Sequence, residues 1–562
     1  MADCTELILS EDEADFIIEY GGNAADVTER YEADCIQVVS PRYVIVHTSV
    51  DKMENITSFA YNSIPKLYSL MDTTSMDSSG ITRLHRQPYL SLRGSGILIG
   101  IVDTGIEYTH PAFRNEDGTT RIVSIWDQNI QTGPVPAGFD YGTEYTRQLI
   151  DEALASENPL DIVPVTDELG HGTVMAGLAA GNEDSVNDFT GAAPEASIAV
   201  VKLKPAKLYL REYQMIRPEA VAYQENDIML GIRYLIETAS RLRLPLIVCL
   251  GIGTSSGDHN GRSYLNSYIN DVGNLLGCCM VSACGNEGNQ SGHYAGMIEN
   301  DMEYEDVEIR VDAAENGFVL EFWGRAPDIF SVGILSPGGE RIGQIAPRYG
   351  QVQTLDFVLE PTQIFVQYKL VESSSGDQLI LMRFSRPSAG IWTIRVFGQN
   401  LVYRTYHMWL PVSAFIGQGT YFLRPDPEIT VTSPGDTANC VCVAAYNHHN
   451  DSIYYMSGRG FTPSGRIVPD IAAPGVNVYT PVTGGRYGVR SGTSVAAAHA
   501  AGAAALLMEW GIYQRNNLNM DTTEIKKYLI RGAGRRDDTV YPNTSWGFGT
   551  LDLYNVFQGL QT

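Results

Sequence analysis

Positive charge is scarce in this chain: 39 lysines and arginines face 66 aspartates and glutamates, a formal charge of -27 over 562 residues. Nucleic acid recognition needs clustered cations opposite phosphates, so no nucleic acid partner is expected. The carboxylate excess reads first as a solvated surface. Its second reading, local carboxylate clusters, leaves structural calcium open, and no cofactor is required. Long hydrophobic runs are missing as well. No stretch reaches ~18 consecutive apolar residues, so no membrane span is expected. The opening MADCTELILSEDEADF has early acids where a secretory leader has a basic start and an apolar middle, so no signal peptide is expected. Nor is there a cysteine framework. Cys4, Cys35, Cys249, Cys278, Cys279, Cys284, Cys440 and Cys442 lie mostly in apolar, strand-like runs, without the spacing of small secreted domains. The Cys278/Cys279 and Cys440/Cys442 pairs lack the His partners of a zinc site. All eight read as reduced core thiols. Fixed-period repeats and low-complexity tracts are also absent.

What remains is an ordinary globular mixture, 44% apolar and 19% charged, in a chain too long for one core of roughly 250 to 300 residues. Two or three domains are expected. Residues 1–73 hold two strand-like runs, Phe16 to Glu19 and Ile36 to Thr48, joined by the helix-compatible AADVTERYEAD, and read as a small α+β module. The polar DTTSMDSSG follows, an exposed type of segment where chains are nicked. From Gly96 short buried-type strands (ILIGIVDTG, ASIAVVKL, LPLIVCLGIG, LGCCMVSACGNEG) alternate with helix, and Ile228, Ile232, Leu235 and Ile236 fall on one helical face. This alternation predicts a doubly wound parallel α/β sheet with its crevice at the carboxyl ends of the strands. Between 300 and 427 the helical period gives way to DVEIRVDA, GFVLEFWG, IFVQYKLVE, LILMRF and IWTIRVFG, an inserted all-β, sandwich-like (jelly-roll-like) unit. CVCVAAYN and SVAAAHAAGAAALLMEW then resume the α/β pattern. The α/β domain is thus divided into 74–299 and 428–562.

Cleaving an amide at neutral pH needs a nucleophile, a base, an anion to orient the base, and donors for the oxyanion. Asp103 ends the ILIGIVD strand; His171 lies in GHGTVMAG; Ser494, in SGTSVAAAHAAG, follows Gly492 at a helix start; Asn286, in SACGNEG, follows a buried strand. Each alone has a bland reading as turn, cap or structural residue. Their order changes the reading. IVDTGIEYTHP, GHGTVMAG, CLGIGTSSG, SACGNEG, AAPGVNVYT and YGVRSGTSVAAAHAAGAAAL resemble the signature segments of the subtilase family, in its Asp, His, Ser order, across most of residues 75 to 560.

The resemblance implies a serine endopeptidase in which Asp103 orients, His171 is general base and acid, Ser494 attacks, and Asn286 with the Ser494 backbone N–H forms the oxyanion hole. It also implies that Leu250 and Gly251 pair with substrate backbone and that Ile252, Gly253, Gly285 and Thr493 line the substrate site, a protein or peptide binding by strand addition. Two positions depart from the family pattern: Val174 stands where His is usual and Ala498 where Pro is usual. Residues 1–73 resemble the subtilase prodomain, with cleavage between Tyr68 and Ser75 and the cut prodomain able to stay bound. The run LYSLMDTTSMDSSGITRLHRQPYLSLRGSG, with the strand-rich insert, most resembles the clostridial Csp-type germination proteases, which cut the precursor of a spore-cortex hydrolase. A bacterial, cytoplasmic or spore-associated location is implied. Two other functions stay open: a silent protease-like sensor or scaffold that keeps its prodomain, and a carbohydrate- or partner-binding protein acting through the insert, with Trp392, Tyr403, Tyr406 and Trp409 as first candidates.

Overall fold

Strands that alternate which face they bury need cover on both sides, and here each side has its own helices. The computed structural model describes residues 4–560 except 22–26, 29, 32, 34, 51–55, 57–58, 71–76, 86–89, 301 and 349–350. At its centre is a nine-stranded sheet. It runs Thr143–Thr146, Ile122–Asp127, Ser197–Lys202, Leu98–Asp103, Leu246–Leu250, Cys278–Ala283 and Val441–Asn447, with Ile471–Pro474 and Ser452–Ile453 both paired to Val441–Asn447. Neighbours are parallel except at Thr143–Thr146 and Ser452–Ile453. In Leu98–Asp103, Ile99 and Ile101 pack toward the helices His171–Ala180 and Thr493–Met508. Leu98 and Val102 pack toward Glu225–Leu242 and Tyr264–Gly273. Gly100 marks a close approach there, since a Cβ on it would lie 2.6 Å from Leu235. The expected doubly wound α/β arrangement is thus present. The helix from Thr493, continued to Tyr513, is long and apolar enough to cross a membrane by length and composition. It is nonetheless buried, packed between the sheet and the His171 helix.

Between the two parts of this sheet lie eleven antiparallel strands. Six form one sheet (His293–Met297, Thr405–Trp409, Gly317–Gly324, Gln378–Ser385, Gln363–Lys369, Val352–Asp356) and five another (Arg341–Ile345, Phe330–Leu335, Gly390–Gly398, Tyr304–Val311, Tyr421–Phe422). Residues of both sheets share one core, including Phe322, Met382, Trp392 and Tyr406. The edge strand His293–Met297 falls ahead of residue 300. Its sequence HYAGM has no β-branched residue to announce it.

At the N-terminus a helix, Cys4–Leu9, precedes an antiparallel sheet of Glu13–Glu19, Tyr43–Ser49 and Cys35–Val38. The run expected as one strand from Ile36 to Thr48 is divided at Ser40–Arg42. Pro41 has no N–H to offer a ladder, and Ser40 Oγ accepts from the amides of Arg42 and Tyr43, both at 3.2 Å. Cys4 and Cys35 are not reduced thiols. The helix and the Cys35–Val38 strand bring them together at a Cα separation of 5.6 Å, and they form a disulfide. The other six cysteines are reduced and buried.

This module docks through buried polar groups. Asp15 accepts from Lys207 Nζ at 2.8 Å and Gln224 Nε2 at 2.9 Å, and its Oδ1 lies 2.7 Å from His47 Nδ1. Burial alone would raise the Asp15 carboxyl, but Lys207 and His47 hold it well below the usual carboxylate range. The chain then runs through Leu67–Leu70, which pairs antiparallel with Ile252–Gly253 on one side and Tyr223–Gln224 on the other. Most of the segment expected to be cut, between Tyr68 and Ser75, lies outside the described residues, as do parts of AADVTERYEAD.

At the opposite edge of the sheet, Arg121 is buried with its guanidinium donating to four carbonyls, those of Ala112, Ala180, Pro194 and Ala196. Burial pulls its pKa down to about 9, still cationic at neutral pH. Arg121→Met is expected to strand those acceptors and lower unfolding free energy by about 3 to 5 kcal/mol. Urea titration measures this; a loss below about 1 kcal/mol would mean the carbonyls find other partners. Among the described residues no group of three or more His, Cys, Asp or Glu side chains converges to hold a metal.

Candidate active site

Asp103 is the last residue of its strand, so its side chain stands at the carboxyl edge of the sheet, fully buried. His171 is the first residue of its helix, entered through Gly170 at φ 76°. The helix start lies so close to the Asp103 turn that a Cβ on Gly172 would sit 2.1 Å from the Gly105 carbonyl oxygen. That approach brings His171 Nδ1 to 2.7 and 2.9 Å from the two Asp103 oxygens. His171 Nε2 is 3.1 Å from Ser494 Oγ. Three side chains far apart in sequence thus form one hydrogen-bonded chain of carboxylate, imidazole and hydroxyl.

Ser494 is the second residue of the 16-residue Thr493–Met508 helix, where the dipole and unpaired N–H groups favour developing negative charge. Gly492 precedes the helix at φ 151°, a conformation that side chains rarely adopt. Asn286 follows Gly285, which has φ 94° and no room for a Cβ against Thr432. The Asn286 side-chain oxygen accepts from Thr493 N and Oγ1, both at 3.1 Å. Its orientation is therefore fixed, and its Nδ2 amide makes no hydrogen bond among the described residues. The structure brings Asp103, His171, Ser494, Asn286, Gly285 and Thr493 into one site.

Leu250 closes its strand, Gly251 follows, and Ile252–Gly253 form the short strand beside Leu67–Leu70. A Cβ on Gly251 would sit 2.8 Å from His171 Cε1 and 3.1 Å from Ser494 Cβ. Only glycine lets this strand run past the imidazole. With the N-terminal strand alongside, Ser494 is fully buried and His171 nearly so.

Several supporting residues escape notice in the sequence. Asp167 is buried and accepts from Gly170 N, Thr173 N, Thr173 Oγ1 and Thr104 Oγ1 at 2.7 to 2.9 Å. It ties the His171 helix to the Asp103 turn. The one available signal was an acid just ahead of a helix start, in DELGHG. Glu321, from the antiparallel unit, accepts from Tyr61 Oη at 2.6 Å, Trp323 Nε1 at 2.9 Å and Gly257 N at 2.9 Å. It joins the N-terminal module to the loop after Ile252–Gly253.

Glu287, next to Asn286, is buried and accepts from Ser413 N and Oγ, both at 3.0 Å. Burial pushes its pKa up to about 7 against those two bonds. Between the ordinary value of 4.5 and about 7 the folded chain keeps a proton that the unfolded chain releases. Its contribution is therefore complete below the lower value and is lost as pH rises through the upper one. Glu287→Gln is expected to flatten the decline in stability across that window, of the order of 3 kcal/mol. Unfolding at a series of pH values tests it; an unchanged slope would assign the pH dependence to other groups.

Comparison with known proteins points one way. A model of the subtilase family matches residues 94–357 and 424–549. A subtilisin of Bacillus sp. (strain TA39) is 26% identical over 255 residues, 45% of this chain and 48% of that protein. Serine protease AprX of Bacillus subtilis (strain 168) is 30% identical over 155 residues, 24% of this chain and 33% of its own length. The chain thus spans about half or less of the length of these curated relatives. Among solved structures, the Clostridium perfringens CspB protease aligns with a TM-score of 0.77 at 32% identity, covering 86% of this chain and 97% of that one.

Proposed function

The chain belongs to the subtilase family, and from that premise we propose that it is a serine endopeptidase acting through Ser494, His171 and Asp103. The observation that carries this reading is the hydrogen-bonded run from Asp103 through both nitrogens of His171 to Ser494 Oγ. Ser494 Oγ attacks the scissile carbonyl carbon while its proton passes to His171 Nε2, and Asp103 stabilises the imidazolium through Nδ1. The carbonyl oxygen, now an anion, takes a hydrogen bond from Asn286 Nδ2 and one from the Ser494 backbone N–H. Collapse transfers the proton from Nε2 to the departing amine and leaves an acyl ester on Ser494. Water, deprotonated by the same nitrogen, releases the acid and restores the hydroxyl. Leu250 to Gly253 supply the edge on which a substrate strand lies. A fluorophosphonate probe tests the reading: folded protein that fails to label at Ser494 would overturn it.

The first substrate is the chain's own N-terminus, which acts as a prodomain. Support comes from Leu67–Leu70, already held as an added strand against Ile252–Gly253. The buried contacts of Asp15 with Lys207 and Gln224 favour retention of the cut piece. After cleavage the two fragments are expected to co-elute on size exclusion; separate peaks would count against retention. Beyond this, similarity to the CspB protease supports a germination role, with a hydrolase precursor as the protein substrate and a bacterial cytoplasmic or spore-associated setting. Structural calcium belongs with these proposals. The full burial of Ser494 favours a second reading, a silent scaffold that never releases its prodomain. Intact mass separates the two, because only the peptidase yields a Ser494-dependent cut.

A further inference from the structure

Behind the Thr254–Gly257 loop, where the antiparallel unit meets the α/β domain, lies a cavity of about 290 Å³. Asp258, which borders it, is only 8% exposed. Its Oδ1 accepts from Asn260 N at 3.1 Å, but its Oδ2 accepts no hydrogen bond among the described residues. The nearest cation, Arg262 Nε, stands 3.6 Å away, too far for one. Burial pushes the Asp258 pKa up to about 6, so near neutral pH it is an ionised acceptor short of a donor.

A second bare acceptor borders the same cavity. His293 Nδ1 lies 3.2 Å from the Asp426 carbonyl oxygen, which can only accept, so the His293 proton sits on Nδ1 and Nε2 is a lone pair. Burial pushes the pKa of His293 and of His407 down to about 3, so both rings are neutral. His407 Nδ1, 3.0 Å from His293 Nε2, must then be the donor. That leaves His407 Nε2 as an acceptor, on a residue that borders the same cavity.

Arg325 completes the wall. Its guanidinium is stacked 3.8 Å from the Tyr403 ring centroid and makes no hydrogen bond among the described residues. Two aspartates, 258 and 377, and two arginines, 262 and 325, border the space, so the lining is balanced in charge. A sugar fits poorly. Trp409 has His259 and His293 stacked on it at 4.1 and 4.9 Å, and Tyr403 is covered by Arg325, so neither offers a ring face.

We propose that this cavity binds a small zwitterion, a free α-amino acid, whose ammonium group is taken by Asp258 and His407 and whose carboxylate is taken by Arg325. An ammonium supplies three donors and no acceptor, matching the two bare acceptors, and a guanidinium matches a carboxylate. The site stands apart from the proposed peptidase chemistry and does not depend on it.

Isothermal titration of the purified full chain with each proteinogenic amino acid tests the proposal. At least one is expected to bind saturably at one site. Its N-acetyl and amide derivatives, which lack the ammonium and the carboxylate respectively, are expected to bind about tenfold more weakly or worse. Asp258→Asn and Arg325→Ala should each weaken binding by about tenfold; Arg325 is exposed, so that variant keeps its fold. The proposal is overturned if no amino acid binds at about 10 mM, if the blocked derivatives bind as well as the parent, or if Arg325→Ala leaves the affinity unchanged.

Discussion

Ser494→Ala is expected to lower kcat by about 10⁶, to end labelling by fluorophosphonate, and to leave the chain at its full 562-residue mass. The size follows from the site's construction. Only the hydroxyl exchanges a proton with His171 Nε2, and among the described residues no second nucleophile stands within hydrogen-bond reach of that nitrogen. Alanine is the best helix former and smaller than serine, so the Thr493–Met508 helix should keep its place. An unfolded variant is therefore a poor explanation for lost activity, and thermal unfolding checks it directly. His171→Ala should cost about as much and not add to Ser494→Ala, because the two act as one unit. Normal cleavage in the Ser494→Ala protein would sink the peptidase reading together with self-processing.

The parts of the site that were legible in the sequence were those bound to local backbone demands. Asp103 had to end a buried strand, and Gly172, Gly251 and Gly285 had to be glycine because a Cβ would strike Gly105, His171 or Thr432. Such constraints leave short, recognisable segments. The strand pattern was legible for the same reason: one face of Leu98–Asp103 buries Ile99 and Ile101, the other Leu98 and Val102. Pairings between distant side chains left no such trace. Glu321 meets Tyr61 across 260 residues, and nothing periodic in either segment marks the contact. The Cys4–Cys35 disulfide leaves no such trace either: each cysteine stands alone, 31 residues from the other, and only tertiary packing makes them neighbours. The aromatic residues considered for a binding platform divide on burial. Trp392, Tyr406 and Trp409 are core, while Tyr403 is exposed with Arg325 across its face.

Asn286→Ala should lower kcat by about a hundredfold to a thousandfold while KM stays nearly constant. The split follows from when the amide works. A ground-state carbonyl needs little from Nδ2; the tetrahedral oxyanion needs a charge-assisted bond, so removing the donor falls on the transition state. Asn286 is suited to this because Thr493 N and Oγ1 hold its oxygen and leave the amide no rotational choice. Asn286→Asp should fare no better than alanine, since it keeps the bonds to Thr493 but sets an acceptor, not a donor, toward the developing anion. Thr493→Ala tests the orientation separately. It removes one of the two anchors and should cost less than losing the amide, because the Thr493 backbone N–H still fixes the side chain. If Asn286→Ala raised KM and spared kcat, the amide would belong to substrate binding, and the stabilisation of the oxyanion would rest on backbone N–H groups at the start of the Ser494 helix.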